Sequence, residues 1–295
     1  MSADLSRRKL MVAAAAALAV CAGGRRARAT TPERLAVIDW ALLETVLALG
    51  IQPVAAAELR QFRETVVEPP VPRGVADLGL RGAINFELLR LAKPDLILNS
   101  AFHAWADPNL ARIAPVETMS IHRPGVAPYG VAAAAARSLG ARLGRGDAAA
   151  ALIADTDAVI AAAGTAARAA SGGRPVFLVT PGDAAHVSAF GPDSLPGEVA
   201  ARMGLANAWG AETRYSGTAP VGIEALAARP EAWIALMAPM PPDTLRRLGQ
   251  AALWQALPAV REGRVLIIDP VNPFGALPTA ARFARLLAAA MVPHG

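Results

Sequence analysis

Few side chains in this sequence are equipped for covalent or metal chemistry. There is one cysteine, Cys21, and there are four histidines, at positions 103, 122, 186 and 294. No HExxH pair is present, so the two-histidine helix face of a zinc hydrolase is missing. A three-histidine site would need His103, His122 and His186 to converge, and surface or loop histidines are the simpler reading. No G-x-G-x-x-G or GxxxxGK[ST] loop follows an apolar run, and no G-x-S-x-G elbow occurs. Asp155 and Asp157 are two residues apart in a helical stretch, so they project in different directions and read as a solvated face. These residues predict no catalytic group and no metal held by protein ligands. They suit a binding protein better than an enzyme.

Two glutamates stand in related contexts. Ile84-Asn85-Phe86-Glu87-Leu88-Leu89 runs on to Lys93-Pro94-Asp95-Leu96-Ile97, and Val221-Gly222-Ile223-Glu224-Ala225-Leu226 runs on to Arg229-Pro230-Glu231-Ala232-Trp233-Ile234. In each, a glutamate near a helix start precedes apolar residues, a proline, an acid and a strand. The spacing differs by one residue, which makes this a weak internal repeat of two similar halves. A first-turn glutamate is also favoured by the helix dipole alone.

The elements that would position such residues alternate along the chain. Leu35 to Trp40 reads as a short buried strand, and Leu42 to Gly50 as a helix closed by glycine. Phe86 to Leu91 is helical and Leu96 to Leu98 extended. Asp147 to about Ala170 is Ala-rich, lacks proline and ends at Ser171-Gly172-Gly173, which predicts one long helix. Strands follow at Pro175 to Thr180, Trp233 to Leu236 and Val265 to Ile268. The alternation predicts α/β sheets with parallel strands, in two halves separated by the long helix.

Charge and composition narrow the function classes. The 295 residues carry a formal net charge of +5, but six of the 29 basic residues and one of the 24 acidic ones lie in the first 29 positions. The remainder holds 23 of each sign, so the body of the protein has no basic footprint for nucleic acid. The leader itself has a pattern. Ser6-Arg7-Arg8-Lys9-Leu10 precedes a short apolar stretch, Met11 to Ala22, and Ala27-Arg28-Ala29 offers small residues for cleavage. This predicts an export signal over 1–29 of the twin-arginine type, and a periplasmic mature protein from Thr30. Val20 is a poor residue before a lipidated cysteine, so a lipid anchor on Cys21 is not expected.

Several segments resemble the periplasmic ferric-hydroxamate (ferrichrome-type) binding proteins. They are Glu68-Pro69-Pro70-Val71-Pro72, Asp77-Leu78-Gly79-Leu80-Arg81, Leu110-Ala111-Arg112-Ile113-Ala114-Pro115 and Phe190-Gly191-Pro192-Asp193-Ser194-Leu195. Asn207-Ala208-Trp209 with Glu212-Thr213, and Leu253 to Pro258 through Arg264, complete the set. The resemblance spans nearly the whole mature chain. It implies two Rossmann-like α/β lobes, 30–146 and 172–295, joined by a single rigid helix over 147–171, with a shallow cleft and little closing motion. It further implies a monomer that takes a ferric siderophore to an inner-membrane ABC permease with its ATPase, downstream of an outer-membrane receptor. Iron would arrive within the siderophore.

Residue by residue, the resemblance assigns Arg81 to the ligand's oxygens and Glu87 and Glu224 to permease docking. His103 stands where the family has a ligand-contacting tyrosine, with Phe102 and Trp105 beside it. Tyr215 and Phe274 lie in loops matching cleft loops of the second lobe. Trp40 fits either the cleft floor or a buried core. Thr65, Ser216 and Asn272 replace pocket aromatics, which implies a more polar ligand. The same architecture carrying haem or a corrinoid is the alternative. A periplasmic metal-binding factor or enzyme would need motifs that the sequence lacks.

Overall fold

A computed structural model describes residues 32–210, 213–214, 217–238, 240 and 242–292. The leader with Cys21, the cleft-loop pair Tyr215 and Ser216, and His294 lie outside the described residues.

The first lobe is built from β1 (Leu35–Val37), α1 (Trp40–Ala48), β2 (Ala55–Ala56), α2 (Leu59–Thr65), β3 (Ala76–Asp77), α3 (Phe86–Ala92), β4 (Leu96–Asn99), a 3₁₀ turn (Ala101–Ala106), α4 (Asp107–Leu110) and β5 (Val116–Thr118). Its five strands are all parallel, in the order β3-β2-β1-β4-β5. The chain reverses direction across the sheet at β1, which has β2 on one side and β4 on the other. The strand expected to reach Trp40 ends at Val37. Asp39 accepts hydrogen bonds from the backbone N–H groups of Ala41 and Leu42, and this N-cap starts α1 at Trp40 instead.

Helices α5 (Pro128–Arg142) and α6 (Gly146–Ser171) follow. The 26 residues of α6 extend roughly 39 Å at 1.5 Å per residue. Gly172 ends the helix in the left-handed region at φ 62°, where an L side chain would be strained.

The second lobe contains β6 (Val176–Pro181), β7 (His186–Phe190), α7 (Leu195–Arg202), β8 (Thr218–Gly222), a 3₁₀ turn (Ile223–Ala228), β9 (Trp233–Met237), α8 (Pro242–Gln250), α9 (Ala252–Ala256), α10 (Pro258–Arg261), β10 (Val265–Ile268) and α11 (Leu277–Met291). Its strand order is β10-β9-β6-β7-β8. The expectation of parallel strands holds for β10, β9 and β6, but β7 pairs antiparallel with both β6 and β8. Only residues 182–185 connect β6 to β7, and a link that short can turn the chain back but cannot carry a crossover helix.

One apolar core serves both lobes. Leu35, Val37, Leu42 and Leu98 of the first lobe belong to the same buried cluster as Val176, Leu178, Met237 and Ile268 of the second. Helix α11 packs along α6 and contributes Phe283 and Leu287 to this cluster. Gly164 of α6 lets the backbone at the end of α7 approach: a Cβ there would lie 2.6 Å from the Met203 carbonyl oxygen. Arg168, one turn on, donates to that same carbonyl at 2.6 Å.

Candidate functional site

The carboxyl ends of the first-lobe strands converge on a cavity of about 590 Å³, within the range of small-molecule sites. Asp39, Trp40 and Ala41 reach it after β1, Glu58 after β2, Arg81 and Gly82 after β3, and Phe102 and His103 after β4; Asn272 and Phe274 arrive from beyond β10. A crevice outside strand ends, beside the strand where connections change direction, is where α/β sheets bind ligands. Two lobes therefore contribute to one site.

Arg81 is the main cation of this cavity. Its guanidinium carbon lies 3.9 Å from the centroid of the Trp40 ring, and its Nε donates to Glu58 Oε2 at 2.6 Å. Trp40 is only 5% exposed, and its Nε1–H donates to the Ala57 carbonyl at 3.2 Å. It is thus both a core residue and a wall of the cavity, which answers the ambiguity the sequence leaves. Stacking and ion pairing fix the Arg81 side chain, while its terminal nitrogens make no hydrogen bond among the described residues.

Glu58 is held in an unusual backbone state. It precedes α2 at φ 57° and ψ 43°, in the left-handed region, and its side chain does not cap that helix. Asp77 takes over the cap, accepting from the backbone N–H of Leu59 at 3.2 Å. The Glu58 N–H donates to the Gly79 carbonyl at 2.7 Å, so the loop that carries Arg81 also locks the backbone of its partner.

His103 lies in the 3₁₀ turn after β4. Asn99, at the strand end, donates from its amide to the His103 carbonyl at 3.1 Å and to Asp107 at 2.6 Å. Burial lowers the pKa of His103 below its usual 6.5, so the ring is neutral at neutral pH and adds no positive charge. Phe102 lines the cavity with it. Trp105, on the same turn, is 53% exposed and is not among the lining residues. Thr65 is buried in α2, away from the lining set.

The second-lobe side is braced from the first. His122 lies in the loop after β5, one of the two expected settings, and is buried there; its Nε2 meets the Gly275 carbonyl at 2.8 Å and its ring stands edge-on to Phe274 at 5.7 Å. The loop carries it into the seam where the 272–276 loop returns. Asn272 accepts the backbone N–H of Phe274 at 3.2 Å. Below this loop, Glu44 of α1 is wholly buried and accepts from the N–H of Ala276 and the N–H and hydroxyl of Thr279, capping α11 from another element. Burial pushes its pKa up from 4.5 to about 7.

Of the residues the sequence singled out, Trp40, Arg81, His103, Asn272 and Phe274 line this cavity together. Glu87 and Glu224 lie elsewhere, each exposed and each the second residue of its helical turn. Phe102, named beside His103 from the sequence, lines the cavity too, whereas sequence reasoning missed Asp39 and Glu58 as lining residues. An aspartate between a strand and a helix is a readable N-cap signal, but Glu58 lies 23 residues from Arg81 and carries no local mark. No group of three metal-ligating side chains gathers among the described residues.

Comparison with known proteins gives this geometry relatives. The periplasmic binding protein family model matches residues 35–271. The iron(3+)-hydroxamate-binding protein FhuD of Escherichia coli K12 is 34% identical over 284 residues, covering 96% of this chain and 95% of its own. FhuD of Vibrio cholerae, solved with Fe3+-Desferal bound, superposes with a TM-score of 0.83 at 27% identity, over 88% of this chain and 97% of that one. The petrobactin-binding protein YclQ of Bacillus subtilis shares the fold, with a TM-score of 0.73 at 18% identity over 90% of this chain and 93% of its own.

Proposed function

Because the chain belongs to the periplasmic binding protein family and matches FhuD along nearly its whole length, we propose that it captures a ferric siderophore, of hydroxamate type, for an inner-membrane ABC importer. The observation that carries this reading is Arg81, held by Glu58 against the face of Trp40 in the wall of the interlobe cavity. A fixed guanidinium beside aromatic surface suits the oxygens of a ferric hydroxamate and its apolar arms. His103, Asn272 and Phe274 shape the rest, and the resemblance alone carries Tyr215 and Ser216 as further ligand contacts. Capture involves no turnover, and the iron stays within its siderophore.

The mature protein starts at Thr30 after twin-arginine export, stays free of a lipid anchor and acts as a monomer. It receives ligand that has crossed the outer membrane through a receptor. Glu87 and Glu224 dock the two lobes onto arginines of the permease, which works with its ATPase; their exposure and matched positions in their turns support this.

The test is a tryptophan-fluorescence titration of the mature protein with ferric hydroxamates, a catecholate, a citrate-type complex, haem and cobalamin. Saturable quenching by a ferric hydroxamate, and none by the iron-free ligand, is the expected result. Arg81→Ala should weaken that binding by about 1.5–3 kcal/mol, the scale of a hydrogen bond to a charged group. Silence from every ferric siderophore, with a response to haem or cobalamin, would keep the fold and overturn the assignment.

A further inference from the structure

The charges that line the cavity do not balance. Among the described lining residues there are two carboxylates, Asp39 and Glu58, against one guanidinium, Arg81. Glu58 is spent on Arg81. Asp39 is 9% exposed, and its partners are the N–H groups of Ala41 and Leu42 and the hydroxyl of Ser100, at 2.9, 3.1 and 2.7 Å. Those are neutral donors, and no cation pairs with it among the described residues. His103, kept neutral by burial, does not redress the sum. Among the described lining residues the cavity wall thus holds one carboxylate without a cationic partner, offset only in part by the N-terminus of α1 that it caps, in a partly buried place where water screens it poorly.

The chemistry of the ligand makes that charge informative. Three hydroxamates, each carrying one negative charge, neutralise ferric iron, so the net charge of such a complex is set by its pendant groups. Catecholate and carboxylate complexes remain anionic. Specificity between them is a difference of affinities, and an unpaired charge of one sign is an effective means of rejecting its like.

Building on the hydroxamate reading above, we propose that this cleft selects its ferric complexes by charge, preferring a hydroxamate with a protonated pendant amine over its neutral counterpart and rejecting anionic complexes, with Asp39 and Glu58 setting the preference. The backbone around Glu58 suits this role. Its left-handed conformation and the transfer of the helix cap to Asp77 turn a carboxylate toward the cleft that would otherwise serve α2. Strained backbone of this kind persists where the surroundings enforce it, as at ligand sites. Glu58 is therefore a positioning residue for Arg81 and a source of the cleft's charge.

The experiment compares two probes with one iron core: ferrioxamine B, whose pendant amine is protonated at neutral pH, and its N-acetylated, uncharged form. In the unaltered protein the amine form should bind about tenfold tighter or better, a gap within reach of one poorly screened charge contact. Glu58→Gln and Asp39→Asn should each narrow the ratio severalfold, whereas Arg81→Ala should weaken both ligands and widen it. A purely structural role for Glu58 would lower both affinities alike and leave the ratio intact, overturning its part in selection. Equal binding of the two probes by the unaltered protein would overturn charge selection and leave the hydroxamate reading standing. Binding of neither probe, nor of any other ferric hydroxamate, would overturn both.

Discussion

Replacing Glu44 with glutamine should remove a loss of stability that the unaltered protein suffers as pH rises from mildly acidic to mildly alkaline. The Glu44 carboxyl is completely buried, and burial lifts its pKa from 4.5 to about 7 even though Thr279 and the backbone at Ala276 donate to it. Between those two values the folded protein still holds the proton and the unfolded chain has released it. The folded state therefore binds more protons across this window, and its stability falls with rising pH. The interval from 4.5 to about 7, taken at about 1.4 kcal/mol per unit, corresponds to about 3 kcal/mol. This loss should be complete above about pH 8 and absent below about pH 4. Glutamine suits the site because its carbonyl can accept from Ala276 and Thr279 while its amide donates to the Thr279 hydroxyl. The assay is urea denaturation of both proteins at several pH values across this window. The variant's stability minus that of the unaltered protein should grow by about 3 kcal/mol. A difference that stays constant with pH would refute ionisation of Glu44 as the cause.

Two further substitutions probe other contacts. Gly164→Ala would drive a methyl group to within 2.6 Å of the Met203 carbonyl oxygen, and should cost about 1–3 kcal/mol in urea denaturation, the usual penalty of overpacking. His122 contributes in the opposite sense to Glu44: burial lowers its pKa below 6.5, so folding stability should fall as pH drops through that value, when the unfolded histidine takes up a proton that the folded one refuses. His122→Ala should reduce this acid-side loss and weaken ligand capture by loosening Phe274, as read by denaturation at about pH 5 and 7 and by the fluorescence titration.

Much of the architecture was legible because its signals are local. The long helix announces itself through alanine, the absence of proline and Gly172-Gly173, and α6 ends at Ser171. The apolar runs at Leu96, Val176, Trp233 and Val265 all became strands. The antiparallel β7 was not anticipated, because His186-Val187-Ser188-Ala189-Phe190 alternates too weakly to stand out and only the four-residue link before it argues for a hairpin. Trp40 was misread as a strand residue because its apolar neighbours hide the capping function of Asp39. Within the site, Arg81 and His103 could be marked by resemblance. Glu58 could not, since its meaning arises only when β2 and β3 lie side by side and bring it against Arg81. His122 and Glu44 were missed for a related reason: each makes its decisive contacts with residues more than 150 positions away.

The buried cluster shared by the two lobes bears on how the protein is made and lost. Val37 and Leu98 of one sheet and Val176 and Met237 of the other belong to one continuous buried cluster with the helices between them, so the interiors of the two halves are not separate. The halves should melt in a single calorimetric transition, although the chain looks bipartite. Helix α11, the last described element, supplies part of that cluster, so a nascent chain cannot complete its interior until nearly all of it has been synthesised. That delay favours any export route that waits for the finished polypeptide.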